Sequence, residues 1–406
     1  MNTGDTAFIL VSAAMVMLMT PGLALFYGGM VRNKNVLGTI MQSFVIIAVI
    51  SVEWVLWGYS MSFGPDKWGI TGGLEWFGLS CVGLEPSGVY ATTIPHQVFM
   101  IYQCMFAVIT PALIAGAFAE RMKFGPFLLF SILWATFVYN PLCHWIWGSG
   151  GWMARLGVID FAGGVAVHLS SGVAALAAAV MMGRRKGYGT EEMRPHNLPM
   201  TLLGAGLLWF GWFGFNAGSA VSAGTLAGSA FIATHLAAAT GTLGWLAIEW
   251  KSRGKATTLG AASGAIAGLA TITPASGFVG PISACIIGFA AGVACYLGVM
   301  AKNRFGYDDS LDVVGVHGVS GVLGLLSAGL FASSAVNPNG PDGLFFGNPG
   351  QLGVQLIAVI ATLLYTFVLT YLLLKIIDRI FGLRVPVNDE ISGLDLSQHD
   401  EKAYIL

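Results

Sequence analysis

Charge is what this 406-residue chain has least of. Its 19 Lys+Arg and 20 Asp+Glu make up 10% of the residues, where soluble domains carry about 25%. A water-soluble globule of this length needs far more charge to cover its surface. A net charge of −1 without any basic run argues against a nucleic-acid binder. The five cysteines (Cys81, Cys104, Cys143, Cys285 and Cys295) are scattered with no CxxC pair, which argues against a disulfide framework or a thiolate metal site. There is no low-complexity tract and no polar catalytic domain at either end. The first apolar run follows Asp5 rather than a basic stretch, so no cleaved leader is expected. What is present is apolar: 55% hydrophobic residues and a mean hydropathy of +0.74. The chain reads as an all-α polytopic membrane protein.

A helix needs roughly 20 apolar residues to cross the hydrocarbon layer. Eleven segments qualify, at 6–30, 36–63, 96–118, 124–147, 160–182, 197–219, 223–250, 257–274, 277–299, 313–334 and 350–380. With the N-terminus outside, 17 of the 19 basic residues fall on the inner side, and only Lys67 and Arg155 fall on the outer. That asymmetry is the positive-inside rule. The 56 glycines imply close helix packing. Spans 1–5 and 6–10 are expected to form two halves of opposite orientation. Asp160 opens span 5 with His168 following, and Asp312 opens span 10 with His317 following, so the two imidazoles should approach each other near mid-membrane.

Ionisable groups inside a membrane are costly and point to function. His168 and His317 both sit in apolar helices. Each alone reads as a packed structural residue; as a matched pair they can share and relay a proton. A metal site is the competing reading, but two histidines without a third ligand make a poor set. Asp160 and Asp312 can cap their helices, and Asp160 can also place negative charge near a cation path. Glu53, ten residues from the outer end of span 2, has no evident basic partner. It fits a protonated carboxyl, a hydrogen bond at a subunit contact, or a proton route. His144 and His235 are expected to hydrogen-bond to neighbouring helices. Trp147, Trp212, Phe215, Ser219, Phe106 and Tyr102 form a second cluster, readable as an interfacial aromatic belt or as a cage for a small cation.

The motifs PGLALFYGGMVRNKNVL (21–37), GAFAERMKF (116–124), DFAGGVAVH (160–168), RPHNLPM (194–200), GWFGFNAGSA (211–220), GAIAGLATITPASG (264–277), DVVGVHGVSG (312–321) and GLRVP (382–386) resemble those of the Amt/Mep/Rh ammonium transporters along essentially the whole chain. The resemblance implies twin pore histidines at His168 and His317, and an outer recruitment site at Trp147, Phe106 and Ser219. It implies a gate at Phe106 and Phe215, with Trp212 and Thr273 beside the path and Asp160 in support. Tyr102 stands where several members have phenylalanine, and its hydroxyl is expected to alter recruitment at the mouth. The family further implies eleven spans, a homotrimer with one pore per subunit, a cell (plasma or inner) membrane location and no cofactor. It also implies a PII-like regulatory protein docking on the cytoplasmic face, with GLRVP and the tail to Leu406 as its contacts. The chain would divide into a transporter domain, 1–383, and a cytoplasmic tail, 384–406. Electrogenic uptake of ammonium, with methylammonium as surrogate, is the expected function. A passive ammonia channel and an ammonium sensor are the alternatives, and an enzyme is not expected.

Overall fold

In the computed structural model, which describes residues 1–404, the apolar runs form eleven helices. They are α1 (Thr3–Met30), α2 (Val36–Phe63), α3 (His96–Phe118), α4 (124–147), α5 (Gly164–Met182), α6 (Leu198–Gly218), α7 (Thr225–Arg253), α8 (Thr258–Ile272), α9 (Pro281–Phe305), α10 (Val314–Phe331) and α11 (Pro349–Phe381). Ten are long and apolar enough to cross a membrane. The eleventh, α8, has 15 residues, or about 22 Å at 1.5 Å per residue. Its expected last turn is taken up by a run of tight turns through Thr273–Phe278.

Polar caps fix several helix starts. Asn2 Oδ1 accepts from Asp5 N at 3.1 Å, Asn197 Oδ1 from Met200 N at 3.0 Å, and Thr257 Oγ1 from Gly260 N at 2.9 Å. Basic residues close the last turns of α7, α9 and α11, where they meet the negative end of the helix dipole. Four stretches are π-helical: Trp54–Gly58 in α2, Ala135–Tyr139 in α4, Gly164–Leu169 opening α5 and Val314–Gly318 opening α10. Such bulges gather at functional positions, and two of these carry the intramembrane histidines.

α5 and α10 cross through glycine. A Cβ on Gly172 would lie 2.2 Å from Gly318 Cα, so only a bare backbone permits the contact. After α11 the tail folds back as α12 (Val387–Ser392) and α13 (Leu394–His399). Leu394 N donates to Asn35 Oδ1 at 2.8 Å, and Gly38 N donates to Asp395 Oδ1 at 2.8 Å. Lys123 N donates to Leu383 O at 2.9 Å and Val385 N to Arg121 O at 3.0 Å, so the GLRVP segment is bonded to the chain's own 119–124 loop. The last two positions of the tail, expected to contact a partner, lie outside the described residues.

Beneath the helices a charged cluster ties these loops together. Arg185 meets Asp308 at 2.9 Å and Glu120 at 3.2 Å, and Arg32 meets Glu120 at 2.7 Å. Burial pushes the Glu120 carboxyl up, but the Arg185 and Arg32 guanidiniums outweigh it and hold it below the usual range.

Candidate transport site

Asp160 organises one end of the site. Its Oδ1 accepts from Gly163 N at 2.8 Å and Gly164 N at 2.6 Å, and its Oδ2 from Val165 N at 2.7 Å. These are the free donors at the start of α5, so the carboxylate is committed to the cap. Gly163 has φ of 130°, which only glycine adopts without strain. The Asp160 carbonyl holds the indole of Trp147, whose Nε1 donates to it at 2.9 Å.

Phe106 lies edge-on to Trp147, with centroids 6.1 Å apart, and close against Phe215, at 4.2 Å. Phe215 in turn stacks on His168, with centroids 6.2 Å apart. Ser219 stands at the end of α6, with its hydroxyl donating to Phe215 O at 2.9 Å. Tyr102 is fully buried. Its hydroxyl lies 2.8 Å from Phe215 O, 3.0 Å from Gly214 O and 3.2 Å from Ser219 Oγ. Tyr102 thus holds the last turn of α6, and with it Phe215 and Ser219.

Below the phenylalanines, His168 Nδ1 and His317 Nδ1 are 3.3 Å apart. The rings are near-parallel, with centroids at 5.4 Å and planes at 20°. An N···N contact of this kind requires one nitrogen to carry the proton and the other to accept it. Trp212 stacks on His168 at 5.5 Å, and its Nε1 donates to Thr273 Oγ1 at 2.9 Å. The walls around the imidazoles are apolar, among them Met19, Leu23, Phe26, Leu113, Leu208 and Ile266. The free volume is 10 Å³, about that of a single water.

Asp312 takes a different role from the one its position suggests. Its φ is 64°, and its carboxylate is ion-paired with Lys302, so it turns away from the helix it was expected to cap. The cap on α10 comes from Asp309, whose Oδ2 accepts from Val314 N at 2.7 Å. Asp309 precedes His317 by eight residues, as Asp160 precedes His168. That shared spacing was the available signal for Asp309, and reading Asp312 as the helix opener missed it. His144 makes the expected bonds, to Ser62 O and Asp66 Oδ1, both at 3.0 Å. His235 packs instead against Trp209 and Phe213, with centroids at 5.6 and 6.1 Å, without a hydrogen bond among the described residues.

The arrangement is an aromatic cluster, a closely packed ring pair and a narrow apolar cavity whose polar atoms are chiefly two linked imidazoles. A permanently charged ion would meet a dehydration cost of order 20 kcal/mol in such a passage by the idealised Born estimate. A small base that can shed its proton escapes that cost.

Comparison with known proteins agrees with this chemistry. Residues 7–404 match the Ammonium Transporter Family. An ammonium transporter of Bacillus subtilis is 54% identical over 405 residues, covering 100% of this chain and 99% of that protein. Ammonium transporter Amt1 of Archaeoglobus fulgidus is 48% identical, with both chains fully covered. Among solved structures, Mep2 of Candida albicans superposes with a TM-score of 0.92 at 36% identity, covering 100% of this chain and 94% of that one. A structure titled Sensor Amt Protein gives a TM-score of 0.90 at 29% identity, with 98% of each chain covered. With this fold and this breadth of match, the chain belongs to the ammonium transporter family as a multi-pass, eleven-helix ammonium transporter with an inverted repeat.

Proposed function

We propose that the protein takes up ammonium electrogenically by separating ammonia from its proton. The ion is recruited by the ring faces of Trp147 and Phe106 and by the Ser219 hydroxyl, where directed hydrogen bonds distinguish it from K⁺ of similar size. It passes Phe215 and gives up one N–H proton; the N–H bonding pair stays with nitrogen as the lone pair of ammonia. Neutral ammonia moves past His168 and His317 while the proton travels by a separate polar route, and the two recombine inside. Asp160 sets Trp147 and α5, Tyr102 sets Phe215 and Ser219, and Thr273 sets Trp212. The 3.3 Å contact between two imidazoles in an apolar passage is the observation that carries this reading. It gives proton chemistry one defined place and offers a dehydrated ion no other ligands.

We propose, from the asymmetry of its basic residues, that the N-terminus lies outside and the C-terminus in the cytoplasm, across a plasma or inner membrane. We also propose a homotrimer, with residues 384–406 as a cytoplasmic tail against which a PII-like regulator docks. Transient current on an ammonium pulse to reconstituted liposomes, with K⁺ and Na⁺ pulses as controls, tests the mechanism. A current specific to ammonium is expected. Ammonia flux without current would mean a passive channel. Tight ammonium binding with neither would favour a sensor, the second reading, which likeness to the Sensor Amt Protein structure supports.

A further inference from the structure

Glu53 sits midway along α2, a helix that contributes nothing to the passage between the histidines. It is 2% exposed, and among the described residues no basic side chain pairs with it. Both of its donors converge on one oxygen. Asn140 Nδ2 donates to Glu53 Oε1 at 2.8 Å and Thr136 Oγ1 donates to the same atom at 3.2 Å. The direction of the second bond is fixed by Trp57, whose Nε1 donates to Thr136 Oγ1 at 2.9 Å and leaves the threonine proton for the carboxyl. Asn140 is oriented likewise, because Ser62 Oγ donates to its Oδ1 at 3.4 Å.

Glu53 Oε2 is buried and has no partner. It lies over Gly58, where a Cβ would come within 2.5 Å of it. One oxygen with two donors and one with none is the pattern of a carboxylic acid, a carbonyl beside a hydroxyl. A carboxylate would leave a bare anionic oxygen in a low-dielectric site. The side chains that titrate nearby, Cys104 of α3 and Tyr139 of α4, offer no positive charge. On the bundle surface between α2 and α4 a groove lined by Val49, Val52, Leu56, Trp57 and Ile132 also has Glu53 in its lining. Its apolar walls suit a lipid-soluble molecule and not a hydrated one.

We propose that Glu53 is a proton-binding site within the membrane and outside the transport passage, holding its proton on Oε2 at neutral pH and reached through this groove. Its chemical signature is reaction with lipid-soluble carbodiimides. The carboxyl O–H adds across one C=N bond, with the oxygen bonding to the central carbon and the proton passing to nitrogen. The O-acylisourea then rearranges to the N-acylurea, so nothing leaves and the mass rises by one reagent. This inference is independent of the ammonium mechanism.

The test uses the full-length protein in liposomes at pH 7. Infrared difference spectra between wild type and Glu53→Gln should show the carbonyl stretch of a protonated carboxyl in the wild type alone. Mass spectrometry should find one adduct on the Glu53 peptide with a lipid-soluble carbodiimide and none with a water-soluble one. Absence of the band overturns the proposal, as does absence of the adduct or equal labelling by both reagents. Should Glu53→Gln fail to fold, labelling of the wild type decides alone.

Discussion

At the residue scale the histidine pair was visible because ionisable side chains stand out in apolar sequence, but its contact geometry was not. Replacing both His168 and His317 by leucine should abolish ammonium-driven current while the protein still unfolds as a single species on heating; wild-type current in that variant would refute the relay. Thr273 is a quieter case. The Thr273→Val substitution strands the buried indole N–H of Trp212, and an unsatisfied buried donor costs about 1–3 kcal/mol. The variant should melt earlier in thermal unfolding, and its current should fall as Trp212 loses its seat against His168. Tyr102 and Asp312 mark where residue-level reading ran out. A hydroxyl's direction depends on which carbonyl faces it across the packing, and the end of α6 supplies two. Only Ser310 and Leu311 separate Asp309 from Asp312, and only backbone direction decides which of the two reaches the helix N–H groups and which reaches Lys302.

At the element scale, hydropathy located every membrane helix, because the length of an apolar run is set by the bilayer and not by neighbours. It could not distinguish π from α turns, since both have the same composition. Nor could it show that α8 stops after 15 residues, because the turns that follow are as apolar as the helix. The α5–α10 crossing makes a test at this scale. Gly172→Val places a branched side chain where even a Cβ would lie 2.2 Å from Gly318. Overpacking costs about 1–3 kcal/mol and here moves backbone. The helices must part, the imidazole pair opens, and both melting temperature and ammonium current should drop. Normal current with lowered stability would show that the pair tolerates separation.

At the scale of the whole molecule, the loops on which the tail rests are held by one charged cluster. Removing one member of a buried ion-paired group costs about 3–5 kcal/mol, because its partners are left uncompensated. Glu120→Gln should therefore loosen the loops on which the tail rests, detectable as faster proteolysis between residues 384 and 404. Acid should act in the same direction. The Glu120 carboxyl is held below its unfolded value of about 4.3 by Arg185 and Arg32, so its stabilising contribution is complete above that pH. It is lost as pH falls through the lower folded value. Tail proteolysis should be slow and constant from pH 7 to about 5 and rise steeply below about 4. An unchanged rate across that range would show that the tail is held by other contacts.

Composition and pattern alone determined the membrane class and the number of spans, because a bilayer imposes length and apolarity on each segment separately. Tertiary structure decided which groups meet. It brought His168 against His317 through a glycine contact between helices more than 140 residues apart, and gave Asp309 the capping role expected of Asp312. It also turned Tyr102 inward and gathered both donors onto one oxygen of Glu53. Those outcomes depend on the angle and depth at which helices cross, which are set by packing between distant segments and leave no local trace in the chain.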